Sequence, residues 1–301
     1  MDFHSNNKVL ITGINGFTGK YLKKYLEELN YEVYGLSNTI DEKKDKIFSC
    51  DINNQDELNL IIKNLQPNYI FHLAAISNVQ HSDLVEMYKV NVIGTQNVLN
   101  ASLKVKKYLK KIILASSATV YGNQTEKVLH ENLVPNPINH YGISKLAMEQ
   151  IAKTYFDELP ILITRPFNYT APGHSEHFVV PKIAKAFINN EKTIELGNIE
   201  VYREYNSIDY VLRVYFELMN SKSTGEIVNI ASGKTHSLKE IISIFSKLSG
   251  HLIDIKINPQ FVRKNEIITL AGDIVKLKKI IKIPKDNNIE NVVNQFLNTN
   301  Y

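Results

Sequence analysis

Apolar and polar positions run along the first half of the chain in two alternating rhythms. Lys8–Thr12 (KVLIT) is a short apolar run. Residues 19–29 then place Tyr21, Leu22, Tyr25, Leu26 and Leu29 on one side of a helix. The exchange repeats. Residues 32–36 read as strand, 55–65 as helix, 69–73 as strand and 83–103 as a long helix; 112–115 read as strand, 141–156 as helix and 161–164 as strand. Strands that are apolar throughout are covered on both faces, and helices between them are the crossovers of a parallel sheet. The pattern predicts an α/β fold, a Rossmann-like doubly wound parallel sheet.

After residue 168 the rhythm loosens. Prolines and glycines interrupt it, residues 180–189 read as helix, 227–230 as one more strand and 238–248 as helix. We expect a dinucleotide-binding domain over 1–168 and a smaller, interleaved substrate lobe over 169–301, with a segment at about 225–250 returning to the sheet.

Composition narrows the classes. The 301 residues, 44% hydrophobic and 22% charged, suit an ordinary globular protein with a full core. No apolar run approaches the roughly 20 residues a bilayer span requires, and the start (MDFHSNNKVLITG) enters a strand too soon for a signal peptide. The lone Cys50 rules out an internal disulfide and suits a reducing compartment, so a cytoplasmic location is expected. The net charge of +4 is spread over scattered lysines whose densest clusters, 104–111 and 276–282, read as solvated helix faces. That argues against nucleic acid and membrane as partners, and no metal site is read. Arginine is scarce: Arg165, Arg203, Arg213 and Arg263. Their planar forks can grip a diphosphate from two sides as lysine cannot.

The first turn is TGINGFTG, residues 12–19, between the first strand and first helix. Gly13, Gly16 and Gly19 permit a tight turn and close approach of a pyrophosphate, and the helix start, with Asn15, Phe17 and Thr18 around it, offers free N–H groups and partial positive charge. The second strand ends in Gly35, Leu36, Ser37 and Asn38. That end carries neither an acid for the ribose hydroxyls of NAD nor an arginine for the 2′-phosphate of NADP, so both cofactors stay open. Downstream, Tyr141 and Lys145 lie four apart on a helix and so share a face. A neighbouring ammonium and a nearby oxidised nicotinamide both favour phenolate and are expected to lower the tyrosine from about 10 toward working pH, which suits proton exchange at a carbonyl or alcohol oxygen. Taken alone, such a pair is an ordinary helix surface. The stretch SSATVYG, residues 116–122, follows an apolar strand and offers hydroxyls but no carboxylate.

Seven motifs in register resemble an extended short-chain dehydrogenase/reductase of the nucleotide-sugar epimerase/dehydratase superfamily. They are TGINGFTG, Asp51-Ile52, HLAA (72–75), NVIGT (91–95), SSATVYG, YGISK (141–145) and RPFN (165–168). The resemblance implies Ser117, Tyr141 and Lys145 as catalytic residues. It also implies Asp51 and Ile52 at the adenine, Leu73, Ala74 and Ala75 along the cofactor's sugars and phosphates, and Asn91 beneath the nicotinamide side. The alternative for Asp51 is a helix or turn cap, which CDINN would suit. Dehydratases of this superfamily carry an acid shortly after the Ser/Thr; here Ala118 and Thr119 stand at the matching positions. Neither titrates near neutrality, which weighs against dehydration unless Glu131 substitutes.

The second half is similar to the branch of GDP-mannose dehydratases and GDP-4-keto-6-deoxymannose reductases. The similarity rests on Asn168 and the turn to Gly173, FVVPKI (178–183), LGNI (196–199), VYREY (201–205) and NPQFVR (258–263). It implies a substrate site made of Ser77, Ser117, Thr119, Asn168, Val180, Lys182, Leu196, Gly197, Asn198, Arg203, Arg263 and Glu266, with Arg203 and Arg263 on the diphosphate. Arg165 is expected to buttress the sheet end and Arg213 to be an exposed helix residue. The expected activity is NAD(P)H-dependent reduction of the C4 ketone of a nucleotide-linked 4-keto-6-deoxyhexose, with a GDP-linked sugar favoured over thymidine or uridine forms. The alternatives are a 4-epimerase or 4-dehydrogenase with tightly held NAD, less readily a 4,6-dehydratase, and a non-catalytic nucleotide-binding protein. The resemblance further implies a homodimer through a four-helix bundle of helices 83–103 and 141–156.

Overall fold

The computed structural model describes residues 7–39, 46–79, 81–262, 268–285 and 287–299. Its centre is a seven-stranded sheet of β1 (Lys8–Thr12), β2 (Glu32–Ser37), β3 (Ile47–Ser49), β4 (Tyr69–His72), β5 (Lys111–Ala115), β6 (Ile161–Pro166) and β7 (Glu226–Ile230). Every neighbouring pair is parallel, in the order β3-β2-β1-β4-β5-β6-β7. This is a Rossmann-like doubly wound sheet. The last strand comes from the second half of the chain, with Glu226–Ile230 paired residue for residue against Leu162–Pro166.

Apolar residues on both faces of these strands explain the layers. On one face, Val9, Ile11, Phe71 and Ile113 pack with Leu22 and Leu26 of α1 (Phe17–Glu28) and with Val211, Tyr215 and Leu218 of α7 (Ile208–Asn220). On the other, Leu10, Ile70, Ile112 and Leu114 pack with Leu58 and Ile62 of α2 (Gln55–Leu65) and Val98 and Leu99 of α4 (Gly94–Leu103). Each such side chain contributes about 1.5–3 kcal/mol on burial. A separate core holds the second lobe together: Ile183 and Phe187 of α6 (Val179–Ile188), Ile241 and Phe245 of α8 (Leu238–Ser249), and Val293 and Phe296 of α10 (Ile289–Leu297).

The long helix expected over 83–103 is interrupted. It comprises α3 (Leu84–Tyr88), one wide π turn (Lys89–Ile93) and α4. Asn91 sits in that turn, fully buried, and reaches out of the helix to a loop and a second helix. The periodicity of apolar residues does not register such a side-chain demand. The helix α5 (His140–Lys153) ends earlier than residue 156, and α9 (Val275–Ile280) and α10 add to the elements expected. No helix among the described residues is long and apolar enough to cross a membrane.

One buried polar tie binds the strands that carry the site. The His72 ring, 1% exposed, shares hydrogen bonds with Thr12 Oγ1 and Thr95 Oγ1, both at 2.8 Å, and so links β4 to β1 and to α4. Burial pushes its pKa down to about 3, and Lys145 adds to the shift. An unfolded histidine titrates near 6.5, so His72 is neutral in both states above that value and only the unfolded chain takes up its proton below it. Its contribution to stability is complete above about 6.5 and is lost as pH falls toward 3. We therefore expect the urea midpoint of His72→Gln to fall less steeply than that of the wild type between pH 6 and 4; parallel slopes would refute this.

Candidate active site

Parallel strands end at one edge, and the loops leaving β1, β4 and β5 there face a cavity of about 380 Å3. The site residues expected from sequence that line it are Gly13, Gly16, Phe17, Thr18 and Gly19 after β1, Leu73, Ala75 and Ser77 after β4, and Ser117, Thr119, Tyr141, Lys145 and Asn168.

The glycine loop is shaped for backbone approach. Gly13 has φ +70°, and a Cβ there would stand 2.9 Å from the Ala74 backbone. A Cβ on Gly19 would collide with the Gly13 carbonyl. Gly16 caps α1 with no side-chain hydrogen bond, so the first N–H groups of a twelve-residue helix point into the loop with their partial positive charge. This cradle fits a dinucleotide's pyrophosphate.

At the end of β2, Asn15 Nδ2 donates to Ser37 Oγ at 3.0 Å, and Ser37 Oγ also lies 2.8 Å from Thr39 Oγ1. Asn15 and Ser37, each expected at the cofactor, thus pair and are joined by Thr39, which sequence reasoning missed, with Asn38 exposed beside it. Asp51 is exposed and accepts from the Asn53 backbone N–H at 2.9 Å, as a turn cap does. Ile52 is buried and packs against Gly94. Ala74 is held through its N–H to Thr12 Oγ1 at 3.1 Å.

The proton-handling groups come together as follows. Ser117 Oγ accepts from the Thr119 N–H at 3.2 Å and from the Thr119 hydroxyl at 2.9 Å. Ser117 and Tyr141 line the same wall of the cavity, and the Ser117 hydroxyl acts to lower the phenol's pKa. Lys145 Nζ donates to the Ala115 carbonyl at 2.7 Å. The lowering expected from sequence counted on an ammonium and an oxidised nicotinamide together; the chain's own groups shift the phenol the other way. Burial pushes Tyr141 up to about 12, and Ser117 offsets this only in part. Lys145, only 3% exposed, is pushed down to about 8 by burial, against the pull of Glu149.

Asn91 and six of the described residues expected at the substrate do not line this cavity. Asn91 does not reach the cavity: its amide donates to Ile76 O (3.1 Å) and Ser144 Oγ (2.9 Å), and its Oδ1 accepts from Ile76 N–H (2.8 Å), so it braces the loop after β4. Val180 and Leu196 are buried in the core of the second lobe. Lys182 turns away, donating to Glu195 O at 2.6 Å and standing 4.6 Å over the Phe261 ring. It lines a second, more open hollow of about 660 Å3 beyond His174, walled by the Lys185–Glu176 ion pair and carrying none of the expected catalytic groups. Gly197 packs against the Phe261 carbonyl and Asn198 caps the Glu200 N–H, while Arg203 Nη1 donates to Tyr202 O at 2.9 Å. Arg263 and Glu266 lie outside the described residues.

The structure adds what the sequence did not signal. Phe17, His174 and Phe178 stack face to face with centroids 4.1 and 4.0 Å apart, walling the cavity across the two lobes. Tyr169 stacks on Phe17 and shares a 2.7 Å hydrogen bond with Thr18. No carboxylate lines the cavity among the described residues. Ala118 is buried, and Glu131 accepts from the Asn229 N–H at 2.8 Å instead of facing the site.

With this geometry established, comparison with known proteins places the chain. Residues 10–296 match the family model described as GDP-mannose 4,6 dehydratase. The chain belongs to this family. It is accordingly a member of the NAD(P)-dependent nucleotide-sugar enzymes of the short-chain dehydrogenase/reductase class. It is 34% identical to the GDP-6-deoxy-D-talose 4-dehydrogenase of Aggregatibacter actinomycetemcomitans, over 91% of each chain. It is 28% identical to the GDP-6-deoxy-D-mannose reductase of Pseudomonas aeruginosa, over 90% of this chain and 89% of that one. Among solved structures, RMD from Pseudomonas aeruginosa complexed with NADPH superposes with a TM-score of 0.85 at 26% identity, covering 98% and 97% of the two chains.

The neutral Asn15–Ser37–Thr39 cluster leads to a test of cofactor choice. Ser37→Asp should weaken NADPH about tenfold, about 1.4 kcal/mol, through repulsion of the 2′-phosphate, with a much smaller effect on NADH. Fluorescence titration of both cofactors measures it; equal losses would place the ribose elsewhere.

Proposed function

We propose that the protein reduces the C4 ketone of a nucleotide-linked 4-keto-6-deoxyhexose with NAD(P)H, a GDP-linked 4-keto-6-deoxymannose being the favoured substrate. One observation carries the reading: a hydroxyl, a phenol and a buried ammonium meet beside the glycine loop in a cavity lined by no carboxylate among the described residues. Such a set can pass one proton at an alcohol or carbonyl oxygen but holds no acid to expel water. The activities for which the two relatives are named, both at GDP-6-deoxyhexoses, support the substrate class.

The nicotinamide cofactor supplies the hydride for C4. Tyr141, held at about 12 by burial, carries its proton at neutral pH and so stands ready to protonate the nascent alkoxide. Ser117, oriented by Thr119, donates to the same oxygen as charge develops, and the Lys145 ammonium stabilises the phenolate left behind. Asn168 at the cavity wall holds the substrate. In this reading residues 1–168 bind the cofactor, and residues 169–301 form the sugar lobe while lending β7 to the sheet.

The second reading is a 4-dehydrogenase or 4-epimerase on the same residues, favoured by the talose dehydrogenase relative. Cofactor handling separates them, since an epimerase retains NAD through turnover and a reductase consumes NAD(P)H. The assay offers GDP-, dTDP- and UDP-linked 4-keto sugars with NADH or NADPH and follows absorbance at 340 nm and product identity. Tyr141→Phe should lower kcat by at least about a thousandfold while leaving nucleotide binding within about twofold; retained turnover would refute the assignment.

We further propose a homodimer through the α3–α4 and α5 faces, which expose Val85, Ile93 and Ile143. Ile93→Glu should shift the sedimentation coefficient from dimer to monomer. A monomeric wild type would end this proposal.

A further inference from the structure

We propose that Glu149 is a positioning residue of the active site: through Ser116 it sets where the Ser117 hydroxyl stands relative to Tyr141, and it acts on Lys145 one helical turn away on the same face of α5. The inference deepens the function proposed above and rests on it for the roles of Ser117, Tyr141 and Lys145.

Tyr141, Lys145 and Glu149 are spaced by four and form one stripe on α5. Each meets one of three consecutive residues at the end of β5. Tyr141 shares the cavity wall with Ser117, Lys145 donates to the Ala115 carbonyl at 2.7 Å, and Glu149 Oε1 accepts from Ser116 Oγ at 2.5 Å. The helix is thus fastened to the strand end one turn at a time. Ser116, which Glu149 holds, is the residue immediately before Ser117 in the chain.

Glu149 is completely buried, and Arg165 from β6 is 1% exposed. Their fork closes at 2.9 Å (Nε to Oε1) and 2.7 Å (Nη2 to Oε2). Arg165 cannot swing aside: its guanidinium lies 4.7 Å over the Tyr121 ring, whose hydroxyl donates to Asn229 Oδ1 at 2.7 Å. A buried ion pair is weak as a source of stability, because apolar residues of similar volume often do as well. Its charge has another consequence one helical turn away. The groups around Lys145 able to carry charge are Tyr141 and Glu149 on its own helix, His72 from β4, and Arg165 behind Glu149. His72 is held neutral by burial and Tyr141 keeps its proton. Glu149 is the anion that supports the Lys145 ammonium against desolvation.

Two variants separate the two effects. Ser116→Ala removes one rung and leaves the ion pair; kcat should fall roughly tenfold with KM for the nucleotide sugar within about twofold. Glu149→Gln combined with Arg165→Met removes both charges at similar volume. Lys145, followed by NMR of 13Cε-labelled lysine, should then titrate roughly one pH unit lower. The alkaline limb of the kcat profile should move by the same amount. Wild-type kcat in Ser116→Ala, or an unmoved Lys145 titration with a uniformly lowered kcat, overturns the proposal. If the double variant fails to fold, Glu149→Asp, which withdraws the charge by one methylene, is followed by the same titration: a lowered Lys145 value supports the proposal and an unmoved one overturns it. The titration needs no substrate. A wild type inactive on every 4-keto nucleotide sugar would therefore end the proposed function without touching this result.

Discussion

An ammonium held out of water next to a strand end governs how the whole site is built. Lys145 is almost wholly buried and donates to the Ala115 carbonyl, so desolvation works against its charge while the carboxylate of Glu149 works for it. The balance holds only if α5 lies at a fixed height over the end of β5. The buried fork of Glu149 and Arg165 and the Ser116 hydroxyl maintain that height. Removing one partner alone would strand a charge at a cost of about 3–5 kcal/mol, which makes the arrangement all-or-none.

Around this anchor the chemistry is set by what is absent as much as by what is present. The family model takes its description from a dehydration, yet Ala118 and Thr119 follow Ser117, and Thr119 is engaged in orienting that hydroxyl. A protonated phenol, an oriented hydroxyl and a supported ammonium make a site for moving one proton, which is what hydride exchange at a sugar carbon requires. The aromatic stack of Phe17, His174 and Phe178 joins the glycine loop to the start of the second lobe.

Much of this was legible in the residues. Continuous apolar runs separated by helical periods specified the doubly wound sheet. The glycine spacing marked the loop at β1, and the four-residue interval placed Tyr141 and Lys145 on one helix face. These signals are local, written in the period of a helix or the tolerance of a turn for a missing Cβ. Other facts arise only from packing. Asn91 braces a loop because the chain opens a π turn around it, and Val180 and Leu196 face a core that exists only when three helices assemble. Lys182 is drawn to a carbonyl and an aromatic ring outside the cavity.

The order of residues was enough to dictate the architecture and which side chains share an element, since both follow from backbone periods and short-range sterics. Packing in three dimensions was needed to set the direction of the Tyr141 shift, the partners of Asn91 and the tie from Glu149 through Ser116 to the reacting hydroxyl. Desolvation and long-range hydrogen bonding depend on what surrounds a group in space, and residues such as Ser116, Glu149 and Arg165, up to 49 positions apart, become neighbours only when the sheet closes against α5.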